Sequence, residues 1–206
     1  RIAAPFGQGG QLIFTGGATE ALNLAIKGSF TKAPEGRRRI VTVATEHAAV
    51  LDTVGWLAGQ GAEVVVLPVN REGLVNLDRA AEAIDDRTAL VAVMLVNNEI
   101  GVIHPIAEIA EMARSKGALF LCDAVQGYGR TPLPAGLCDM VAVSAHKIHG
   151  PKGIGALWVR DGVALEAQMH GGGHEAGLRS GTLAPALCAG FSVAAKLMQD
   201  RAEEDE

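Results

Sequence analysis

Lys147 lies in the stretch Ser144, Ala145, His146, Lys147, Ile148, His149, Gly150, Pro151, Lys152, Gly153, Ile154, Gly155, where hydroxyl and imidazole groups crowd an amine on a glycine-rich turn. The apolar runs Met140 to Val143 before it and Ile154 to Val159 at its far end read as strands. A lysine partly desolvated at a strand end can lose its proton and form a Schiff base with an aldehyde cofactor. On these residues alone a basic surface turn is the more ordinary reading, and the rest of the chain has to decide.

Other residues able to do chemistry recur at the ends of apolar runs. Gln11 to Phe14 reads as a strand cut short by Thr15, Gly16 and Gly17; Ala21, Leu22, Ala25 and Ile26 then repeat at helical spacing, so a helix begins near Ala18 or Thr19. A glycine turn opening into a helix aims free backbone N–H groups at one spot, an arrangement suited to an anion, with Thr19 adding a hydroxyl. A plain helix cap is the competing reading. Arg39 to Ala44 is a strand ending in Thr45, Glu46 and His47, with a helix over 48–58 behind it. The near-continuous apolar run Ala89 to Val96, of the kind buried on both faces, stops at Asn97, Asn98 and Glu99. Ala118 to Cys122 ends in Asp123, and Gln126 follows three residues later.

These positions need elements to hold them. With Glu63 to Leu67 the strands number seven, and they alternate with helices over 48–58, 77–84, from Pro105 to Lys116 and from Leu183 to Gln199, beyond which an acidic tail begins at Asp200. Alternation of this kind predicts an α/β fold: a mostly parallel, mixed seven-stranded sheet with helices on both faces. Ligands gather at the carboxyl ends of such strands. Thr19, His47, Asn98, Asp123, Gln126, Ser144, His146 and Lys147 are all predicted to fall there. No repeat or linker divides residues 1–206, so a single large domain is expected.

Composition narrows the partners. A net charge of -5 with 4% aromatic residues offers neither a basic stripe nor stacking groups, which argues against nucleic acid. No apolar run approaches 20 residues, so no spanning helix and no membrane are expected, and residues 1–206 show no secretory signal. Cys122, Cys138 and Cys188 form no CxxC pair, which argues against a disulfide frame or a metal site and for a reducing cytoplasm.

Pyridoxal 5′-phosphate (PLP) needs each of the converging residue types. A carboxylate such as Asp123 keeps the pyridine nitrogen protonated, and Lys147 supplies the covalent anchor. The turn at Gly17, Ala18 and Thr19, with Ser144 and His146, suits the phosphate. An imidazole such as His47 can stack on the ring, and an amide such as Gln126 can donate to its phenolic oxygen.

The segments Phe14 to Gly28, Glu46 to Asp52, Val96 to Val102, Asp123 to Gln126, Ser144 to Gly155 and Gly171 to Leu183 resemble the PLP-dependent cysteine desulfurases of the class V aminotransferase family. The lysine turn running into Gly150, Pro151, Lys152 and Gly153, with Arg179, Ser180, Gly181 and Thr182, is similar to the NifS/IscS-like branch. The resemblance implies the large domain of the fold type I PLP-dependent transferases. Lys147 would be the Schiff-base lysine, and His47 the stacking group and a possible acid/base. Asp123 and Gln126 would hold the ring; Ala18, Thr19, Ser144 and His146 the phosphate. Asn98 would lie beside the substrate carboxylate or the ring oxygen, and Thr182 would reach the site of the neighbouring subunit of a homodimer.

The implied reaction converts L-cysteine to L-alanine and leaves the sulfur as a persulfide on an enzyme cysteine, for iron–sulfur cluster assembly or tRNA thiolation. An iron–sulfur scaffold or other sulfur-acceptor protein would then be the partner. Selenocysteine lyase, class V transamination and a catalytically incomplete, scaffold-binding PLP fold are the alternatives. Two positions depart from the family: His149 stands where tyrosine is usual, and Cys122 where histidine or valine is. The resemblance implies that the nucleophilic cysteine and the substrate-binding arginine belong to a small domain outside these residues; Cys122, Cys138 and Cys188 do not match the nucleophile and read as small core residues. Sulfur transfer by the 206 residues alone is therefore expected to be absent or very low.

Overall fold

The apolar run expected around residue 90 is the centre of the molecule. In the computed structural model, which describes residues 1–7 and 9–201, β4 (Thr88–Met94) has all seven residues buried. Leu90 and Ala92 pack into one core while Val91 and Val93 pack into another on the opposite face. A strand covered on both sides cannot use the apolar–polar alternation of a half-exposed one, which is why the run is continuous.

Around it the sheet is ordered β1 (Gly10–Thr15), β7 (Gly155–Arg160), β6 (Met140–Ser144), β5 (Leu119–Asp123), β4, β2 (Arg39–Val43) and β3 (Glu63–Leu67). The five strands from β6 to β3 are mutually parallel, whereas β7 runs antiparallel to both β6 and β1. The sheet is therefore mixed, with seven strands, as the sequence predicts. Helices α1 (Ala18–Thr31) and α2 (Ala48–Ala58) cover one face through Leu22, Ile26, Val54 and Leu57 against Leu90, Leu121 and Leu157. Helices α3 (Leu77–Ala83), α4 (Ile106–Ser115) and α5 (Pro185–Asp200) cover the other, where Ile109, Ala113 and Phe191 meet Phe120 and Val141. Each large apolar side chain so buried contributes about 1.5–3 kcal/mol. Among the described residues no helix is long and apolar enough to cross a membrane.

Several boundaries move for identifiable reasons. β4 ends at Met94 rather than Val96, because the Leu95 carbonyl accepts the His104 N–H (3.0 Å) and Asn97 N–H turns to the Val102 carbonyl (2.8 Å). Pro105 caps α4 instead of opening it, and α5 starts at Pro185, whose missing N–H costs nothing in a first turn. The acidic tail over 202–206 lies outside the described residues. Cys122 and Cys138 are core residues as expected, but Cys188 is only half-buried, on a turn of α5 that packs at the margin of the core.

One contact fixes where α1 begins. A Cβ added at Gly155, on β7, would lie 2.6 Å from the Gly17 carbonyl carbon, 2.8 Å from Val143 O and 2.9 Å from Ala18 N. All three are backbone atoms with no side chain to swing aside, so the turn leading into α1 rests directly on the sheet. Gly155→Ala is expected to destabilise the fold by about 1–3 kcal/mol through overpacking, read as a lower urea midpoint. A midpoint equal to that of the parent would show that the turn can lift away freely.

Candidate active site

The carboxyl ends of β2, β4, β5 and β6 and the amino end of α1 open on one cleft of about 450 Å³, within the usual range of small-molecule sites. Ala18, Thr19, His47, Asn98, Asp123, Gln126, His146 and Lys147 line it together. They come from five separate segments, and the crossovers of the parallel sheet bring them to one edge.

At one end the cleft is shaped for an anion. Gly17 caps α1 without a side-chain hydrogen bond, so the first-turn amides of Ala18 and Thr19 have no intrahelical acceptor and carry the positive end of the helix dipole. Across from them His146 faces the cleft. Burial, then the charges of Lys147 and Lys152, lower the pKa of its imidazole. Ser144 does not line the cleft: it is buried, and its hydroxyl lies 2.8 Å from His146 Nδ1, so it acts on the site through that ring.

Another part of the wall carries a buried carboxylate. Asp123 ends β5 with only 5% of its surface exposed, and its Oδ1 accepts the Val125 N–H at 3.0 Å. Burial raises its pKa to about 6, against the opposing pull of that hydrogen bond and of nearby His47. His47 is the N-cap of α2, with Nδ1 accepting the Ala49 N–H at 3.0 Å. A neutral ring held this way carries its proton on Nε2, and its orientation over the cleft is set by the helix start.

Lys147 sits on a single 3-10 turn, Ala145–Ile148, closed by His149 in the left-handed region (φ 62°). Among the described residues no carboxylate lies within ion-pair reach of its amine. Neither His149 nor Cys122, the two departures from the family pattern, lines the cleft. Thr182 is exposed on the loop before α5 and lies outside the cleft.

Three contributors escape a reading of the sequence. Glu46 is 5% exposed beneath the site; its Oε1 accepts the Met94 N–H at 2.7 Å while Oε2 has no partner among the described residues. Burial, and then the charge of Asp123, push its pKa well above its ordinary value, against the opposing pull of the Met94 hydrogen bond. Its place beside His47 was the available signal, but nothing in the spacing says that it turns inward. Asn97 donates to Thr45 O (2.8 Å) and accepts from Glu99 N (2.8 Å) and Ile100 N (2.9 Å), building the turn that presents Asn98. Lys152 adds a second amine to the wall.

The arrangement can hold an anion at the α1 amides and a protonated ring nitrogen at Asp123, with the Lys147 amine lining the same cleft. Comparisons with known proteins agree with this chemistry. The Aminotransferase class-V profile matches residues 5–205. The mitochondrial cysteine desulfurase of Candida maltosa is 48% identical over 200 residues, covering 95% of this chain and 41% of that protein. A solved NifS-like protein superposes with a TM-score of 0.90 at 36% identity, over 94% of this chain and 54% of its own. SspA in complex with cysteine superposes with a TM-score of 0.85 at 39% identity, over 90% and 55% respectively. The chain spans about half the length of the curated relatives it matches.

The raised pKa of Asp123 has a consequence for stability. Its folded value lies above the unfolded one, so the folded state favours the proton and stability rises as pH falls through about 6. At pH 7.5 the charged side chain costs about 3 kcal/mol. Asp123→Asn, which keeps an acceptor for Val125, is expected to stabilise the ligand-free protein by about 1–3 kcal/mol at pH 7.5. The gain should shrink below pH 6 and vanish near pH 4; equal urea midpoints at pH 7.5 would refute the penalty.

Proposed function

The chain belongs to the class V aminotransferase family, and we propose that it forms the PLP-binding part of a cysteine desulfurase. The observation that carries this reading is the meeting of Lys147, Asp123 and the free amides of α1 in one cleft. The donor set fits the cofactor. A buried carboxylate matches a pyridinium, a helix amino end with small residues matches a phosphate, and an amine without a carboxylate partner matches an aldehyde.

When bound, PLP supplies an electron sink for the substrate α-carbon. Lys147 would hold the cofactor and move the proton at that carbon. Asp123 would retain the proton on the ring nitrogen; pairing with that cation offsets the cost of its burial. His47 would cover the ring, Gln126 would donate to the phenolic oxygen, and Ala18, Thr19 and His146 would bind the phosphate, with Ser144 steadying His146. Asn98 would meet the substrate carboxylate or the ring oxygen.

L-cysteine is the proposed substrate, supported by the similarity to SspA, whose structure holds cysteine, and to curated cysteine desulfurases. None of Cys122, Cys138 and Cys188 lines the cleft, and burial pushes the Cys122 thiol far above its ordinary pKa. The sulfur-accepting thiol is therefore proposed to lie outside the described residues. A homodimer in which Thr182 completes the neighbouring site, a sulfur-acceptor or iron–sulfur scaffold partner and a reducing cytoplasmic setting belong to the same proposal.

The test uses the protein reconstituted with PLP and supplied with L-cysteine. A visible absorbance band from bound cofactor is expected, absent in Lys147→Ala, and the protein carrying its acceptor thiol should release alanine and sulfide in equal amounts when excess dithiothreitol is present to reduce the persulfide, the dithiol ending as its disulfide. An unchanged band in Lys147→Ala would overturn the anchor. Amino transfer to a keto acid in place of sulfide release would overturn the desulfurase reading.

A further inference from the structure

We propose that Arg179 and Glu20 form a positioning pair that shapes the phosphate-binding turn while keeping its carboxylate from repelling the phosphate. The proposal rests on the PLP reading above and concerns how this chain tunes that end of the cleft. Glu20 is the third residue of α1, and its Oε2 turns back to accept the Gly16 N–H at 2.7 Å. This resembles the backward reach of a capping-box glutamate, displaced by one residue. It pins the strand-to-helix turn so that the next amides, those of Ala18 and Thr19, stay directed at the cleft.

The same bond sets a carboxylate beside a site built for an anion. Arg179 neutralises it from a loop 159 residues away in sequence: its Nε donates to Glu20 Oε1 at 2.7 Å and its Nη2 to Oε2 at 3.4 Å. The two side chains are 17% and 29% exposed, so solvent screens the pair less than an ion pair on the open surface. A planar guanidinium can hold both oxygens of a carboxylate that is also engaged with a backbone amide; a point charge on a lysine fits this less well.

The loop carrying Arg179 has a second anchor. Glu175 Oε2 accepts the N–H of Phe14, on edge strand β1, at 2.7 Å. Glu175 and Ala176 are both left-handed, with φ of 51° and 55°, a conformation that non-glycine residues adopt only when surrounding contacts hold them there. The loop is thus tied at Phe14 and at Glu20, on either side of Gly16, and clips the turn from outside the cleft. Neither Glu20 nor Arg179 lines the cleft itself.

The test measures dissociation constants for PLP and for pyridoxal, which lacks the phosphate, in the wild-type protein, Glu20→Gln, Arg179→Gln, Arg179→Lys and the double variant Glu20→Gln/Arg179→Gln. Arg179→Gln strands the carboxylate and is expected to weaken PLP binding roughly tenfold or more, with pyridoxal affinity unchanged. Arg179→Lys should recover part of the loss. Glu20→Gln keeps an acceptor for Gly16 and should bind PLP as well as wild type or better. The double variant should bind PLP better than Arg179→Gln alone. A purely structural pair predicts losses that affect both ligands equally and are no smaller in the double variant than in Arg179→Gln, and that result would overturn the proposal. If Arg179→Gln does not fold, the remaining variants decide: equal losses of PLP and pyridoxal affinity in Glu20→Gln or Arg179→Lys also overturn it. Failure of the wild-type protein to bind PLP would instead refute the cofactor reading.

Discussion

Burial of the central parallel strands on both faces is the constraint from which the site follows. β4, β2, β5 and β6 have almost no solvent-facing side chains, so helices must cover the sheet twice, and each crossover must carry the chain over a face and return it in the same direction. All parallel strands therefore release their next residues at the same edge. His47, Asn98, Asp123 and the lysine turn are neighbours for that reason. β7 breaks the pattern by returning antiparallel, and in doing so lays Gly155 under the start of α1, bringing the anion-binding turn to the same edge.

The site uses stability to hold chemistry in readiness. Asp123 is buried with one backbone hydrogen bond and an elevated pKa, and Glu46 is buried nearby with its pKa pushed up and one oxygen without a partner among the described residues. Neither would be favoured in a core selected for stability alone, where buried polar groups are paired. A ligand bringing a positive charge to Asp123 would repay part of this cost, which couples cofactor binding to folding. The opposite end is built from inexpensive parts: helix amides that would be unsatisfied in any case, and a glycine turn resting on a glycine.

Electrostatic balance at the turn is supplied from far away in the sequence. Glu20 belongs to the turn locally, but Arg179 and Glu175 reach it only because the loop before α5 crosses the end of β1. Backbone strain at Glu175 and Ala176 is the visible sign that this crossing is held in place by its contacts. That loop also carries Thr182, so the clip and the residue proposed to serve a neighbouring subunit share one mechanical unit.

Much of this was legible in the sequence because the signals are local or periodic. Strand and helix placement followed from apolar runs and the 3.6-residue repeat, and strand ends from the polar residues that interrupt them. The convergence of Lys147, Asp123, His47 and Thr19 followed from the geometry of parallel sheets. What escaped depends on direction and distance through space. Glu46 and Asn98 are both polar residues just past a strand, yet one turns inward beneath the cleft and the other stands exposed at its rim. Ser144 and His146 read as equal phosphate ligands, whereas a 2.8 Å contact makes one the support of the other. Arg179 and Glu20 carry no periodic link across 159 residues. The sequence by itself determined the elements, their order and the chemistry gathered at one edge, since these depend on short-range patterning and on the handedness of crossovers. Only the tertiary structure decided which carboxylates are buried, which hydroxyl faces the cleft and which charges cancel, because burial and pairing are properties of packing rather than of order along the chain.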